Sequence, residues 1–286
     1  MLNTSVSLGR LGLPVYFVSE FALDDVGRAI DQFLQKNQVD TSFVYRYPDG
    51  KTAISLAFLD DKNDAHYTFY KSYPQKRFDI EFPEVREGDI LLFGGLYSLM
   101  PEIREKLKSV VENARNAGAM IIYDPNMRSP HKDQMGDLCS FVFENISLAG
   151  MVRGSDEDFQ TIMDIESGEE AYAFVRDQGC KNLVYTKSNE RVEIHTPEGN
   201  SIVDVPEVDV VSTIGAGDNF NAGLVYELFR RNIVMKRLIL ADFKSMAQTA
   251  VSFGSHVCGH YDNYISNEFA GEILATGDRS PATEND

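Results

Sequence analysis

The spacing of hydrophobic positions changes several times along this chain, and each change marks an element. Residues 24–37, DDVGRAIDQFLQKN, put Val26, Ile30, Phe33 and Leu34 on one helical face, with acids at the start and a lysine near the end. From 41 to 71 the period shortens. TSFVYRY, TAISLAFL and AHYTFYK read as strands separated by the turn compositions PDG and DDKND, and together predict a small antiparallel β unit. Beyond it the apolar runs DILLFGG, AMIIYD, FVFEN and NLVYTK read as strands. They alternate with the helical stretches PEIREKLKSVVENARNAG, SDEDFQTIMDI and SGEEAYAFVRDQG, and a strand pair falls near 191–204. Such alternation predicts an α/β fold, with a mostly parallel sheet covered by helices on both faces. Pro101 opens one helix and Gly118 closes it; Ser167 with Glu170 forms a capping box whose helix ends at Gly179. The tail from 276, TGDRSPATEND, is polar and predicts a frayed end.

Composition narrows the function. A chain of 286 residues, 43% hydrophobic and 25% charged, suits one large domain with a small appendage. Its net charge of −17 comes without clustered Lys and Arg, which argues against a nucleic-acid partner. A small anion would rely on backbone amides, a few cations or a metal ion. Cys139, Cys180 and Cys258 are far apart, so no disulfide framework is expected. With no apolar run of roughly 18 residues and no signal-like front end, the expectation is no membrane partner and a cytoplasmic protein.

The stretch VSTIGAGDNF, 211–220, holds the candidate chemistry. A strand-like run leads into two glycines and then a helical pattern, so the amides of Gly215, Ala216 and Gly217 can converge on an anion at an open helix end. Asp218 then stands beside that anion. Read locally, it is either a helix cap or a general base that takes a hydroxyl proton during phosphoryl transfer.

T-I-G-A-G-D-N-F followed by N-A-G resembles the signature D-T-x-G-A-G-D-x-F-x-A-G of the ribokinase-like, or PfkB, carbohydrate kinases. LGRLG, VYFVSEFALDDVGR, QVDTSFV and RGSDEDF resemble further segments of that family, and DPNMR at 124–128 is similar to the D-P-N-x-R of its fructokinase-like members. The resemblance implies a three-layer ribokinase-like sandwich with a small β lid. The α/β core would comprise 1–40 and 72–275, the lid 41–71 and a flexible tail 276–286. It also implies Asp218 as catalytic base, the 215–217 amides as anion hole, and Mg²⁺ with ATP acting on a small sugar or nucleoside. A homodimer through the lid is a further expectation.

Other positions follow in the same way. Asn3 aligns with the asparagine of the family's G-G-x-x-x-N sugar motif, and Arg128 takes a substrate- or phosphate-side role. Gly94 and Gly95 either let a sugar approach the backbone or simply turn the chain. Asp124 reads as a turn residue. Asp158, with Asp156 and Glu157, either acts indirectly on the metal or starts a helix after Ser155. Thr186 and Lys187 stand where the family meets the nucleotide, though Lys187 also reads as a surface lysine. The segment containing Gly254, after the helix of Ala247 and Ala250, would wall the adenine pocket; H256-V-C-G-H260 offers too few ligands for a metal site.

Three departures from the family pattern stand out. The chain starts at MLNTSVSLGR, inside the sugar motif, which predicts that the front strand with its G-G pair is absent: either the gene start is placed late or half of the sugar grip is lacking. Ser212 replaces an aspartate tied in several members to a monovalent cation, leaving that dependence open. Thr186-Lys187-Ser188-Asn189 lacks the usual glycines. Two functions therefore stand side by side, an ATP-dependent sugar kinase and a non-catalytic sugar- or nucleotide-binding paralogue. A dehydrogenase is disfavoured, because no G-x-G-x-x-G follows an early strand.

Overall fold

The structure, a computed structural model, describes residues 1–59, 65–127, 135–233 and 238–277. The chain runs α1 (Leu2–Arg10), β1 (Val15–Tyr16), β2 (Ser19–Ala22), α2 (Asp25–Lys36), β3 (Val39–Asp40), β4 (Val44–Tyr47), β5 (Lys51–Leu59) and β6 (Ala65–Ser72). It continues through β7 (Ile90–Gly94), a 3₁₀ turn (Leu96–Leu99), α3 (Pro101–Asn116), β8 (Met120–Asp124), α4 (Met135–Leu148), β9 (Met151–Ser155), α5 (Asp156–Met163) and α6 (Gly168–Asp177). Last come β10 (Leu183–Lys187), β11 (Arg191–Thr196), β12 (Gly199–Asp204), α7 (Ala216–Arg230), α8 (Leu240–Cys258) and α9 (Asn267–Gly277).

Two compact units result. One contains Lys76–Glu207 and Gly223–Ser252; the other contains Leu2–Gln75, Val208–Ala222 and the chain from Phe253 on. The first is built on a six-stranded sheet of order β12-β11-β10-β9-β8-β7, parallel from β7 to β10 and antiparallel from β10 to β12. Every residue of β8, MIIYD, is buried, as expected of a central strand covered on both faces. Ile121 and Tyr123 pack with Leu107 and Val111 of α3, Val142 and Ile146 of α4, and Val152, Phe159 and Leu183 in one apolar core.

FVFEN, read as a strand, lies inside α4. Val142 and Ile146 are wholly buried four residues apart, and the strand expected there is β9, after the turn at Gly150. A short run with three successive apolar residues fits either period, and tertiary packing decides. Ser167 does cap α6 by accepting the Glu170 amide, but Glu170 turns back to the Glu166 amide; the reciprocal box forms instead on α5, between Ser155 and Asp158.

In the second unit β5 and β6 form the antiparallel pair that the sequence predicts. The first of the three expected strands does not join them. β4 pairs in parallel with β2, and β3 in parallel with β1. Asp24 caps α2 through the Gly27 amide at 2.8 Å and also accepts from the Thr52 amide and hydroxyl, at 3.0 and 2.6 Å, which ties the base of β5 to the helix start. Gly27 is needed there because a Cβ would stand 2.0 Å from the Ala22 carbonyl oxygen. The tail beyond Gly277 lies outside the described residues.

Candidate functional site

In the second unit the glycine loop turns sharply into α7. Gly215 has φ of +88°, and a Cβ on it would come within 2.5 Å of the Asn263 carbonyl oxygen, so only glycine fits without displacement. The Ala216 amide departs from expectation: it closes a turn on the Thr213 carbonyl at 3.2 Å. The Gly215 and Gly217 amides make no hydrogen bond to another described residue. These two lie at the positive end of α7, where negative charge is favoured.

Asp218, in the first turn of α7, is half-buried, neither plugged by packing nor fully solvated. Asn3 donates to its Oδ2 at 2.8 Å. The Thr4 hydroxyl donates to its main-chain oxygen at 2.8 Å and lies 3.4 Å from Oδ1. Residues 215 positions apart thus meet, with α1 supplying the donors that orient the carboxylate. Gly254 backs the loop; a Cβ on it would lie 3.4 Å from the Ala216 oxygen.

The two histidines are engaged by their neighbours. His256 stacks on Phe269 and accepts the Ser266 amide at Nε2, and His260 bonds through Nδ1 to the His256 carbonyl. Burial, then the neighbouring His260, lowers the His256 pKa and favours its neutral form. Among the described residues no group of three or more His, Cys, Asp or Glu could hold a metal ion.

In the first unit the carboxyl ends of β7 to β10 gather the remaining candidates. A Cβ on Gly94 would fall 1.7 Å from the Asp124 oxygen, and the Gly95 amide donates to that oxygen at 2.9 Å, so the glycine pair is fitted tightly to β8. Asp124 is buried, takes the Asn126 amide at 3.1 Å and faces Arg153 at 3.4 Å. Arg153, also buried, donates to the Thr186 hydroxyl at 3.0 Å. Lys187 pairs with Glu190 at 2.9 Å. Ala247 is wholly buried. Asp158 is buried too, and its oxygens take the Met127 amide at 2.5 Å and the Ser155 amide and hydroxyl at 2.6 and 2.7 Å. That is a capping and loop-holding role, with the carboxylate turned inward. Arg128 lies outside the described residues.

A glycine turn at a helix start with an adjacent oriented carboxylate is an arrangement suited to phosphoryl transfer. The chain matches the sequence profile of the pfkB family carbohydrate kinases over residues 1–269. It belongs to that family.

Among pfkB relatives, an aminoimidazole riboside kinase of Salmonella typhimurium is 26% identical over 233 residues, covering 80% of this chain and 73% of that protein. A fructokinase of Rhizobium leguminosarum bv. trifolii is 28% identical over 242 residues, 84% of this chain and 73% of that one. The crystal structure of aminoimidazole riboside kinase from Salmonella enterica, complexed with aminoimidazole riboside and an ATP analog, matches with a TM-score of 0.82 at 23% identity, over 96% of this chain and 90% of that one. Fructokinase from Vibrio cholerae, with fructose, ADP and calcium ion bound, also gives 0.82, at 22% identity over 96% and 89%. These likenesses establish the ribokinase-like α/β fold.

Within this pfkB chain, sequence reasoning missed Arg153, Thr4, Ser7 and Asn219. A lone charge in the apolar strand MVRGS was a readable signal for Arg153. The other three are ordinary polar residues on helices, and nothing in their spacing sets them apart. No described helix is long and apolar enough to cross a membrane.

Proposed function

We propose that this kinase transfers the terminal phosphoryl group of ATP to a primary hydroxyl of a small sugar, fructose-like or ribose-like. Asp218 takes the hydroxyl proton as the oxygen attacks, and the Gly215 and Gly217 amides balance charge on the transferring group. The observation that carries this reading is the 2.8 Å bond from Asn3 to one oxygen of Asp218, at the open start of α7. Oδ1, 3.4 Å from the Thr4 hydroxyl, is assigned as the proton acceptor. Asn3, Gly94, Gly95 and Arg128 are assigned to the sugar, and Thr186 and Lys187 to the nucleotide.

Magnesium is the expected companion of ATP, but the described residues do not form a cage for it, and Asp158 is committed to its cap. An ion carried on the nucleotide phosphates needs no such cage. The chain's own residues bind, orient and accept the proton.

A non-catalytic binding paralogue remains the second reading. It is favoured by the nucleotide-side candidates, since Thr186 and Lys187 are already engaged with Arg153 and Glu190. ADP release measured across ketoses, aldoses and nucleosides, beside calorimetry with each sugar and with ATP, separates the two: turnover supports the kinase, and binding without turnover supports the paralogue. Pairing of two copies through β5 and β6 draws support from Ile54, Leu56, Phe58 and Tyr70, which share one exposed face. Sedimentation checks it, and a monomer would reject it.

A further inference from the structure

We infer that Asn219 and Ser7 form a positioning device that sets the direction of the loop amides and of Asp218 without touching substrate. The inference rests on the reading of Asp218 as the base. Asn219 follows Asp218 directly and is wholly buried. Its Nδ2 donates to the Gly215 and Asn263 carbonyls, each at 2.8 Å, and its Oδ1 accepts from the Ser7 hydroxyl at 2.5 Å. The partners fix this orientation, because two carbonyls can accept only from the NH₂ end of the amide. Ser7 in turn accepts the Ile265 amide at 3.1 Å.

The need for such a device follows from the loop's geometry. The Gly215 and Asn263 main chains approach so closely that no Cβ fits between them, and their carbonyls converge on one nitrogen. The Gly215 carbonyl also accepts the Asn219 main-chain amide at 2.9 Å, whereas among the described residues the donor to the Asn263 carbonyl is the Asn219 side chain. Asn219 gives one N–H to each and so binds the two segments together. The Gly215 carbonyl and the Ala216 amide share one planar peptide, so holding the first also fixes the pitch of the loop.

Asn3, Thr4 and Ser7 lie on one face of α1, at helical spacing. The first two hold Asp218 and the third holds Asn219, so three side chains of one helix grip two consecutive residues of another. Slack at Ser7 or Asn219 would reach the carboxylate through that face.

The test compares full-chain Asn219→Asp, Ser7→Ala and Ser7→Thr with wild type. Each is measured for ADP release with the best sugar from the screen, for ATP binding by calorimetry and for thermal unfolding. Asn219→Asp keeps shape and the Oδ1 acceptor while removing both donors. We expect kcat to fall about 10- to 100-fold in Asn219→Asp and about tenfold in Ser7→Ala, since a small misplacement of reacting groups has effects of that size. Both KM values should stay within about threefold, and Ser7→Thr should restore kcat.

A kcat within about twofold of wild type in folded Asn219→Asp or Ser7→Ala overturns the inference, as does a loss that Ser7→Thr fails to restore. If Asn219→Asp does not fold, the Ser7 pair decides. Amide exchange across 212–219 is a readout independent of turnover. It should quicken in Ser7→Ala and recover in Ser7→Thr, and no change contradicts the device. Asp218→Asn in the same series separates the readings: if it is inactive while Asn219→Asp is active, only the positioning role fails, whereas an active Asp218→Asn removes the base.

Discussion

Replacing Gly215 by alanine perturbs the loop at its tightest point. At φ of +88° an L side chain strains the backbone by roughly 1–2 kcal/mol. The new Cβ would stand 2.5 Å from the Asn263 oxygen and 3.0 Å from its carbonyl carbon, so main chain must move. Overpacking of a closed site adds about 1–3 kcal/mol. The sum, roughly 2–5 kcal/mol, is a large share of a net stability of about 5–15. For a chain of this size each kcal/mol lowers the melting midpoint by about 2–4 °C, giving a fall of roughly 5–20 °C. Gly254→Ala is the matched control, because its Cβ would meet the Ala216 oxygen at an ordinary 3.4 Å in a helical backbone. Its midpoint should move by no more than about 3 °C. Scanning calorimetry of both variants checks the difference. A Gly215→Ala protein that melts with wild type, or a Gly254→Ala protein that melts as low as Gly215→Ala, refutes the reasoning.

The cap of α2 carries a pH signature. Hydrogen bonds from the Thr52 hydroxyl, then the Thr52 amide, lower the Asp24 pKa from the ordinary 3.8 to about 2. Stability from Asp24 is therefore complete above about pH 4 and lost as pH falls through 2. With the carboxylate half-buried it amounts to roughly 1–2 kcal/mol. Asp24→Asn should show that loss at pH 7 in urea unfolding and a flatter acid limb, and identical acid limbs would contradict the assignment. Arg104 is buried and donates to Glu144, Asn145 and the Ser98 carbonyl. Arg104→Ala should destabilise by about 3–5 kcal/mol through the acceptors it leaves behind, and an unchanged urea midpoint would show that they find other partners.

What could be read from the sequence was what is local. Asp24 before α2, Pro101 at the start of α3 and Ser167 before α6 are signals carried within a few residues, and each stands where expected. Strand pairing is not local, and so β4 was assigned to the wrong neighbours. FVFEN lies in a helix because three successive apolar residues do not distinguish a strand from the inner face of a helix. At the site, the G-A-G-D turn announced itself, whereas the engagement of the Ala216 amide by Thr213 depends on backbone torsions that no residue type encodes. The meeting of Asn3 with Asp218, 215 positions apart, is set by the fold and has no local signal in the sequence. The parts played by Ser7, Asn219 and Arg153 are set by which helix faces and strand ends come together in space.

The central claim is that Asp218 is a base rather than a cap, and Asp218→Asn tests it most directly. The amide keeps the size of the side chain and can still accept from Asn3, but it cannot take a proton. Turnover with saturating ATP and sugar should fall at least about 100-fold while ATP affinity by calorimetry stays within about threefold. Turnover near the wild-type rate would contradict the account.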